Sequence, residues 1–297
     1  MAVDRKNEKT ASLVILAAGA SSRMKASAAG SDISDEIARQ ANSQSKGLIR
    51  VGNQGRPLLD YILYNARSAG FHRIVMVVGE DHEGFKTFYG PQQAGNAFHG
   101  LSISYAIQHL REGRSNPFGT ADAVLQAMEQ YEDLQHCPFA VCNSDNLYSV
   151  NAFRALRESS SPNALILYDR DGLDFPPEKI ARFAVMAVNE RSELTDIIEK
   201  PPVDVMEQYR DAGGVIRVSM NVFKFSGEMI YSFLQNCPIT PGREEKEIPS
   251  ALRNMIAKYP ASVLGIPLKE HVPDLTEKKD IAGMRRYLAA HHTGLNW

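Results

Sequence analysis

The chain has 297 residues, 43% hydrophobic and 23% charged, which are ordinary globular proportions and enough to bury a core without disulfides or structural metal. A net charge of -2 gives no reason to expect nucleic acid as a partner, so any phosphate site must use a few placed cations. Cys137, Cys142 and Cys237 form no CxxC pair, and no apolar run approaches the ~20 residues that cross a bilayer. No membrane is expected as a partner, the expected location is the cytoplasm, and homo-oligomerisation stays open.

Residues 1–10 are polar and charged and read as a tail. Short apolar or β-branched runs then alternate with helical patterns. The strand candidates are 12–17, 73–79, 101–107, 139–144, 164–169, 182–188, 218–225 and 262–267. The helical patterns are 57–70, 120–134, 151–159, 226–236 and 246–259, with Gly70 a natural stop for the first. Several strand candidates are apolar on both faces, as strands covered by helices on each side are. The expectation is an α/β fold: a doubly wound, mostly parallel mixed sheet in a Rossmann-like three-layer αβα arrangement, with ligands at the carboxyl ends of the strands. Residues 25–45 break the rhythm as a small, polar, flexible segment with a weak helical pattern, and 109–118 read as a loop. No repeat is present, and one domain over 1–297 is expected.

Three segments carry candidate chemistry. In LVILAAGASSRMK (13–25) a strand runs into Ala17, Ala18, Gly19, Ala20, Ser21 and Ser22, then Arg23. Side chains this small let a ligand approach backbone N–H groups, and Arg23 adds a planar, bidentate phosphate donor. The loop is neither GxxxxGK[ST] nor GxGxxG. In YAIQHLREGRSNPFGTADAV (105–124), Gly119 and Thr120 open a helix whose start can face a polar ligand. In FAVCNSDNLYS (139–149), a strand ends at Asp145, an oxygen donor suited to a hard cation. The histidines show no ligand spacing.

AAGASSRM followed by SKGLIRVGNQGRPLLDYIL resembles the LAAGxGxRM…PKxL signature of the sugar nucleotidyltransferases, and looks like the cytidylyltransferases of the same fold. The resemblance implies that residues 17–22 bind the nucleotide, that Arg23 meets the triphosphate, and that Lys46 is the signature lysine. Lys25 is a second candidate for that role, but the match downstream favours Lys46. Ser45 stands where the family has proline, and 25–45 is an insertion that could act as a lid. Q…GTADAV is similar to the family's base-reading element, carried here by Gln108 and Gly119. The strand ending at Asp145 resembles the family's Mg²⁺-holding strand. LTDIIEKPP (194–202) resembles its xxEKP strand, with Glu199 on sugar hydroxyls and Lys200 on the sugar phosphate. VSMNVFKFS (218–226) resembles the strand closing the sugar pocket, with Ser219 a candidate contact and Asn221 in place of glycine. HVPDLTEKKD (271–280) lines up with the segment bearing the second magnesium ligand, here Asp274, with Thr276 and Glu277 replacing Gly-Thr. These matches run collinearly over 13–288. They imply a Mg²⁺-dependent transfer of a nucleoside monophosphate from a nucleoside triphosphate to a sugar 1-phosphate. The alternatives are a cytidylyltransferase acting on a non-sugar phosphate and a non-catalytic nucleotide or sugar-nucleotide sensor.

Overall fold

A computed structural model describes residues 10–28, 30, 32–199, 201–240, 242, 244–292 and 294–297. Of the expected polar tail only Thr10 is described, and it is buried. In chain order the elements are β1 (Ser12–Leu16), α1 (Ser22–Ala26), α2 (Asp35–Ser43), α3 (Leu58–Ser68), β2 (Arg73–Val78), α4 (Glu83–Tyr89), β3 (Asn96–Phe98) and β4 (Leu101–Ile107). There follow α5 (Thr120–Gln130), β5 (Pro138–Asn143), α6 (Val150–Glu158), β6 (Ala164–Asp169), α7 (Pro177–Ile180), β7 (Val185–Val188) and β8 (Leu194–Ile198). The chain closes with α8 (Val203–Met206), β9 (Arg217–Val218), β10 (Val222–Ser226), α9 (Gly227–Gln235), α10 (Ile248–Lys258), β11 (Leu264–Leu268) and α11 (Asp280–His291).

All eleven strands join one mixed sheet in the order β3-β4-β2-β1-β5-β10-β6-β9-β7-β8, with β11 on β6. Strands β4, β2, β1 and β5 are parallel, as are β6 and β11, while β10 runs antiparallel between β5 and β6. Period-2 alternation divides the core. Leu13 and Ile15 of β1 face one side with Ile62 of α3 and Phe153 of α6. Val14 faces the other with Val124 of α5, Ile230 of α9 and Leu252 of α10. The expected three layers follow from that alternation. The chain leaves β1 for β2 on one side, whereas β5 lies on the other, so a topological switch point opens beyond Leu16 and Asn143, which pair in register.

The expected strand 218–225 is two strands. Asn221 takes a left-handed backbone (φ 56°), which no continuous strand permits, so β9 and β10 part there. The segment expected as a flexible insert contains α2, capped by the Ser34 hydroxyl at Ile37 N–H and anchored by Ile37 and Ala41 in the core.

Candidate active site

The loop after β1 and the loop after β5 meet because their strands are neighbours. Ser144 N–H donates to Leu16 C=O at 3.1 Å, which holds Asp145 beside the small-residue turn. Lys46 arrives from a 3₁₀ turn that packs directly on this loop. A Cβ on Gly47 would lie 3.1 Å from the Ser144 carbonyl oxygen, so glycine is what lets Lys46 come so near. Its ammonium donates to Asp145 Oδ2 at 2.8 Å, with the two side chains 12% and 24% exposed. Ser45, in the position of the family's proline, donates its hydroxyl to Ala17 C=O at 3.2 Å and ties the lysine turn to the loop.

Asp274 joins Asp145 through backbone pairing: Asn146 and Asp274 form a β-bridge, and Leu275 N–H donates to Asp145 C=O at 2.9 Å. The two acids, 129 residues apart by their numbers, therefore lie side by side. Burial, and then the neighbouring Asp145 carboxylate, push the Asp274 carboxyl above the ordinary range; the Lys179 ammonium and the Thr276 hydroxyl oppose this. Lys179, from α7, lies 3.0 Å from Asp274 Oδ2 and 3.2 Å from Asp280 Oδ1.

The residues line two joined hollows. One, of about 550 Å³, is walled by residues 17–22, Ser45, Lys46, Gln108, Gly119 and Thr120. The other, of about 900 Å³, is walled by Phe175, Lys179, Glu199, Ser219, Asp274 and Thr276. Arg23, Asp145 and Asn221 line both and so stand at the junction.

Several of the expected site residues also make contacts within the protein. Thr120 Oγ1 accepts from Ile248 N–H at 3.0 Å, which orients the hydroxyl and leaves its O–H to donate. Gly119 is required by the protein itself: φ is 98°, and a Cβ there would sit 2.3 Å from the Lys246 carbonyl oxygen. Gln108 is buried, and its amide donates to Gly119 C=O at 3.2 Å and Asp122 Oδ2 at 3.0 Å, so its NH₂ braces the wall of the hollow. Helix α1 has only five residues, so the loop and Arg23, not a helix dipole, supply any positive field. Ser219 Oγ accepts from Asn221 N–H at 3.1 Å and holds that turn. Glu199 is exposed at the edge of the larger hollow, and Lys200 lies outside the described residues.

Sequence reasoning passed over Lys179 and Arg114. Arg114 lines the smaller hollow from the 109–118 loop, stacked over Phe118 with CZ 4.3 Å from the ring centre. Its guanidinium donates to Glu244 C=O at 2.7 Å. Lys179 follows Pro176-Pro177 in a stretch with no hydrophobic period, and nothing there signals a side chain aimed at an acid 95 residues on.

Among the described residues no three His, Cys, Asp or Glu side chains cluster as a protein-only metal cage. Two adjacent carboxylates nonetheless fit Mg²⁺, which keeps waters and is held by one or two acids together with substrate phosphates. That each carboxylate draws an ammonium to within 3.0 Å shows that the pair calls for positive charge.

Fold and site together define a Rossmann-like α/β protein with its cleft at the switch point of the sheet. Residues 38–264 match the family model described as nucleotidyl transferase, and the chain belongs to that family. It is 24% identical over 267 residues to the bifunctional protein GlmU of Staphylococcus haemolyticus, covering 89% of this chain and 48% of that protein. It is 25% identical over 156 residues to the UTP–glucose-1-phosphate uridylyltransferase AglF of Haloferax volcanii, covering 52% and 56%. With a glucose-1-phosphate adenylyltransferase of Vibrio cholerae it shares 26% over 189 residues, covering 63% and 42%. The chain thus spans about half the length of these curated relatives. A crystal structure of UDP-glucose pyrophosphorylase with UDP-glucose superposes with a TM-score of 0.68 at 15% identity, covering 95% of this chain and 99% of that one. No described helix is long and apolar enough to cross a membrane.

Proposed function

We propose that this protein transfers a nucleoside monophosphate from a nucleoside triphosphate to a sugar 1-phosphate, releasing pyrophosphate and depending on Mg²⁺. The observation that carries the reading is the convergence of Asp145 and Asp274 at the junction of two hollows. One hollow is walled by small residues and cations, the other is larger and edged by polar groups.

The sugar phosphate oxygen forms a bond to the α-phosphorus as the bond to the β-phosphate bridging oxygen breaks, and pyrophosphate leaves with that electron pair. Both reactants are anions, so the barrier lies largely in charge repulsion and orientation. Residues 17–22 offer close backbone approach to the triphosphate. Arg23 and Lys46 neutralise the charge that accumulates on departing pyrophosphate. Glu199 and the turn at Ser219–Asn221 contact the sugar. Asp145 and Asp274 would hold Mg²⁺, which would supply charge neutralisation to the reacting phosphates. The relatives' names extend to uridylyl and adenylyl transfer, so the base is left to experiment.

The test is a pyrophosphate-release screen of each nucleoside triphosphate against glucose 1-phosphate, other sugar 1-phosphates and non-sugar phosphates. The expected result is release with one triphosphate and a sugar 1-phosphate, abolished by EDTA and by Asp145→Asn with the melting temperature preserved. Turnover by Asp145→Asn near the wild-type rate would remove the metal assignment. A triphosphate that raises the melting temperature while no pair releases pyrophosphate would replace an enzyme with a binding protein.

A further inference from the structure

Each of the paired carboxylates carries a resident ammonium: Lys46 on Asp145 at 2.8 Å and Lys179 on Asp274 at 3.0 Å. These four charges sum to zero, and Asp280, also on Lys179, adds one negative charge. Lys46 has a role in the proposed chemistry, but Lys179 as yet has none.

Lys179 is held by its ammonium along the wall of the larger hollow. It sits in α7, a four-residue helix that begins at Pro177 after Pro176 and forms part of the wall of the larger hollow. Besides Asp274 its ammonium touches Asp280 Oδ1 at 3.2 Å and lies 4.4 Å from the Phe175 ring centre, all along that wall. A lysine is a point charge on a flexible four-carbon stem, able to swing between neighbouring anions without loss of geometry.

We propose that Lys179 is a contact for the acceptor phosphate, in addition to the Lys200 that the family resemblance implies, parked on Asp274 until a divalent cation and that phosphate arrive. The inference rests on the reading of the larger hollow as the sugar phosphate site. The argument is charge balance. A phosphate dianion cannot approach two carboxylates unless cations intervene, and a dication cannot settle on them while two ammoniums hold the same oxygens. Admitting one dication and one dianion together leaves the net charge unchanged: the dication takes the carboxylates, Lys46 turns to the triphosphate, and Lys179 turns to the acceptor. An ammonium that began on Asp274, a wall residue of the acceptor hollow, has only a short distance to travel. Lys179 thereby couples metal entry to acceptor binding.

Two measurements on Lys179→Met and Lys179→Arg test this. The first uses Mn²⁺ alone at pH 8, with free ion read by electron paramagnetic resonance and no substrate present. With the competing ammonium removed, Lys179→Met binds Mn²⁺ about tenfold or more tightly than wild type, while Lys179→Arg stays close to wild type. The second uses the substrate pair that releases pyrophosphate fastest in the screen above. Lys179→Met raises the sugar 1-phosphate KM about tenfold or more and leaves the triphosphate KM within about twofold, and Lys179→Arg restores most of the loss. Unchanged Mn²⁺ affinity in Lys179→Met, or equal rises in both KM values with a lowered melting temperature, would reduce Lys179 to a structural fastener and overturn the proposal. If no pair turns over, the functional reading has failed, and the Mn²⁺ titration still decides whether Lys179 holds a cation site.

Discussion

At the scale of single residues, departures from the family spelling have local physical answers. Asn221 stands where the family has glycine, and its φ of 56° is a conformation glycine adopts without penalty and asparagine tolerates better than other side chains. The Tyr148 hydroxyl donates to the Met220 carbonyl at 2.7 Å, with the Asn221 carbonyl 3.2 Å away, and holds the turn in place. Asn221→Gly is therefore expected to keep activity and to change stability by less than about 1 kcal/mol. Asn221→Val, β-branched and forced to positive φ, should cost about 1–3 kcal/mol in urea unfolding and lower turnover with it. Wild-type stability in the valine variant would show that the turn is not the reason for this residue. Ser45 behaves similarly. Its φ of -62° already suits proline, so Ser45→Pro loses one hydroxyl hydrogen bond to Ala17 and gains a stiffer unfolded chain. Those two terms are each about 1 kcal/mol and opposed, so the midpoint of unfolding should scarcely move. Gly119 is a glycine whose loss matters. An added Cβ must displace the Lys246 backbone, and Gly119→Ala should raise the triphosphate KM well before it affects the sugar phosphate.

Among the elements, legibility followed periodicity. Strand β4 and strand β6 coincide with their expected spans because each is an uninterrupted run bounded by turn residues. Helix α11 begins at Asp280, just after the Thr276 and Glu277 that replace the family's Gly-Thr. Thr276 and Glu277 donate their N–H groups to the Asp280 carboxylate at 2.9 and 2.7 Å, and the Thr276 hydroxyl turns to Asp274. A side chain reaching back from the first turn of a helix is a tertiary choice with no period to announce it. The same applies to α7, too short for one hydrophobic stripe, and to β3, an edge of three residues. Helix α2 shows what a weak pattern can conceal. Its polar sequence suggests a mobile insert, yet Ile37 and Ala41 are buried, and the Gln40 side-chain carbonyl accepts from Arg50 N–H at 3.0 Å, beside the lysine turn. Ile37→Ala should then destabilise the whole protein by about 2–4 kcal/mol in urea, as removal of a buried aliphatic side chain does. A segment acting only as a lid would leave the unfolding midpoint where it was and alter kinetics alone.

For the molecule as a whole, the architecture gathers at one edge of the sheet groups that the sequence scatters from Ala17 to Asp274, and motif order made that gathering legible. The electrostatic cost of closing the core behind this edge was not legible, because burial is a property of the fold. His271 and His292 show it. Burial is the main reason that both imidazoles are held below their usual protonation range, and His271 Nδ1 additionally accepts from Asp174 N–H at 3.1 Å, which fixes the neutral ring. In the unfolded chain both would take up a proton near pH 6.5. Between that value and the lower native one, the unfolded state binds more protons, so stability must rise with pH and fall on acidification. The buried acids Asp60 and Glu270 act in the opposite sense: burial raises them, the native state binds the extra proton, and they favour folding as pH falls toward their unfolded values of about 4. The wild-type curve therefore mixes two signs, and only a difference isolates the imidazoles. The His271→Gln/His292→Gln protein, compared with wild type by urea unfolding at pH 7.5 and pH 5.5, is expected to lose less stability across that interval. Parallel slopes would show that the two rings protonate in the folded protein as readily as in water, and that the carboxyl-terminal third is packed more loosely than its side-chain contacts indicate.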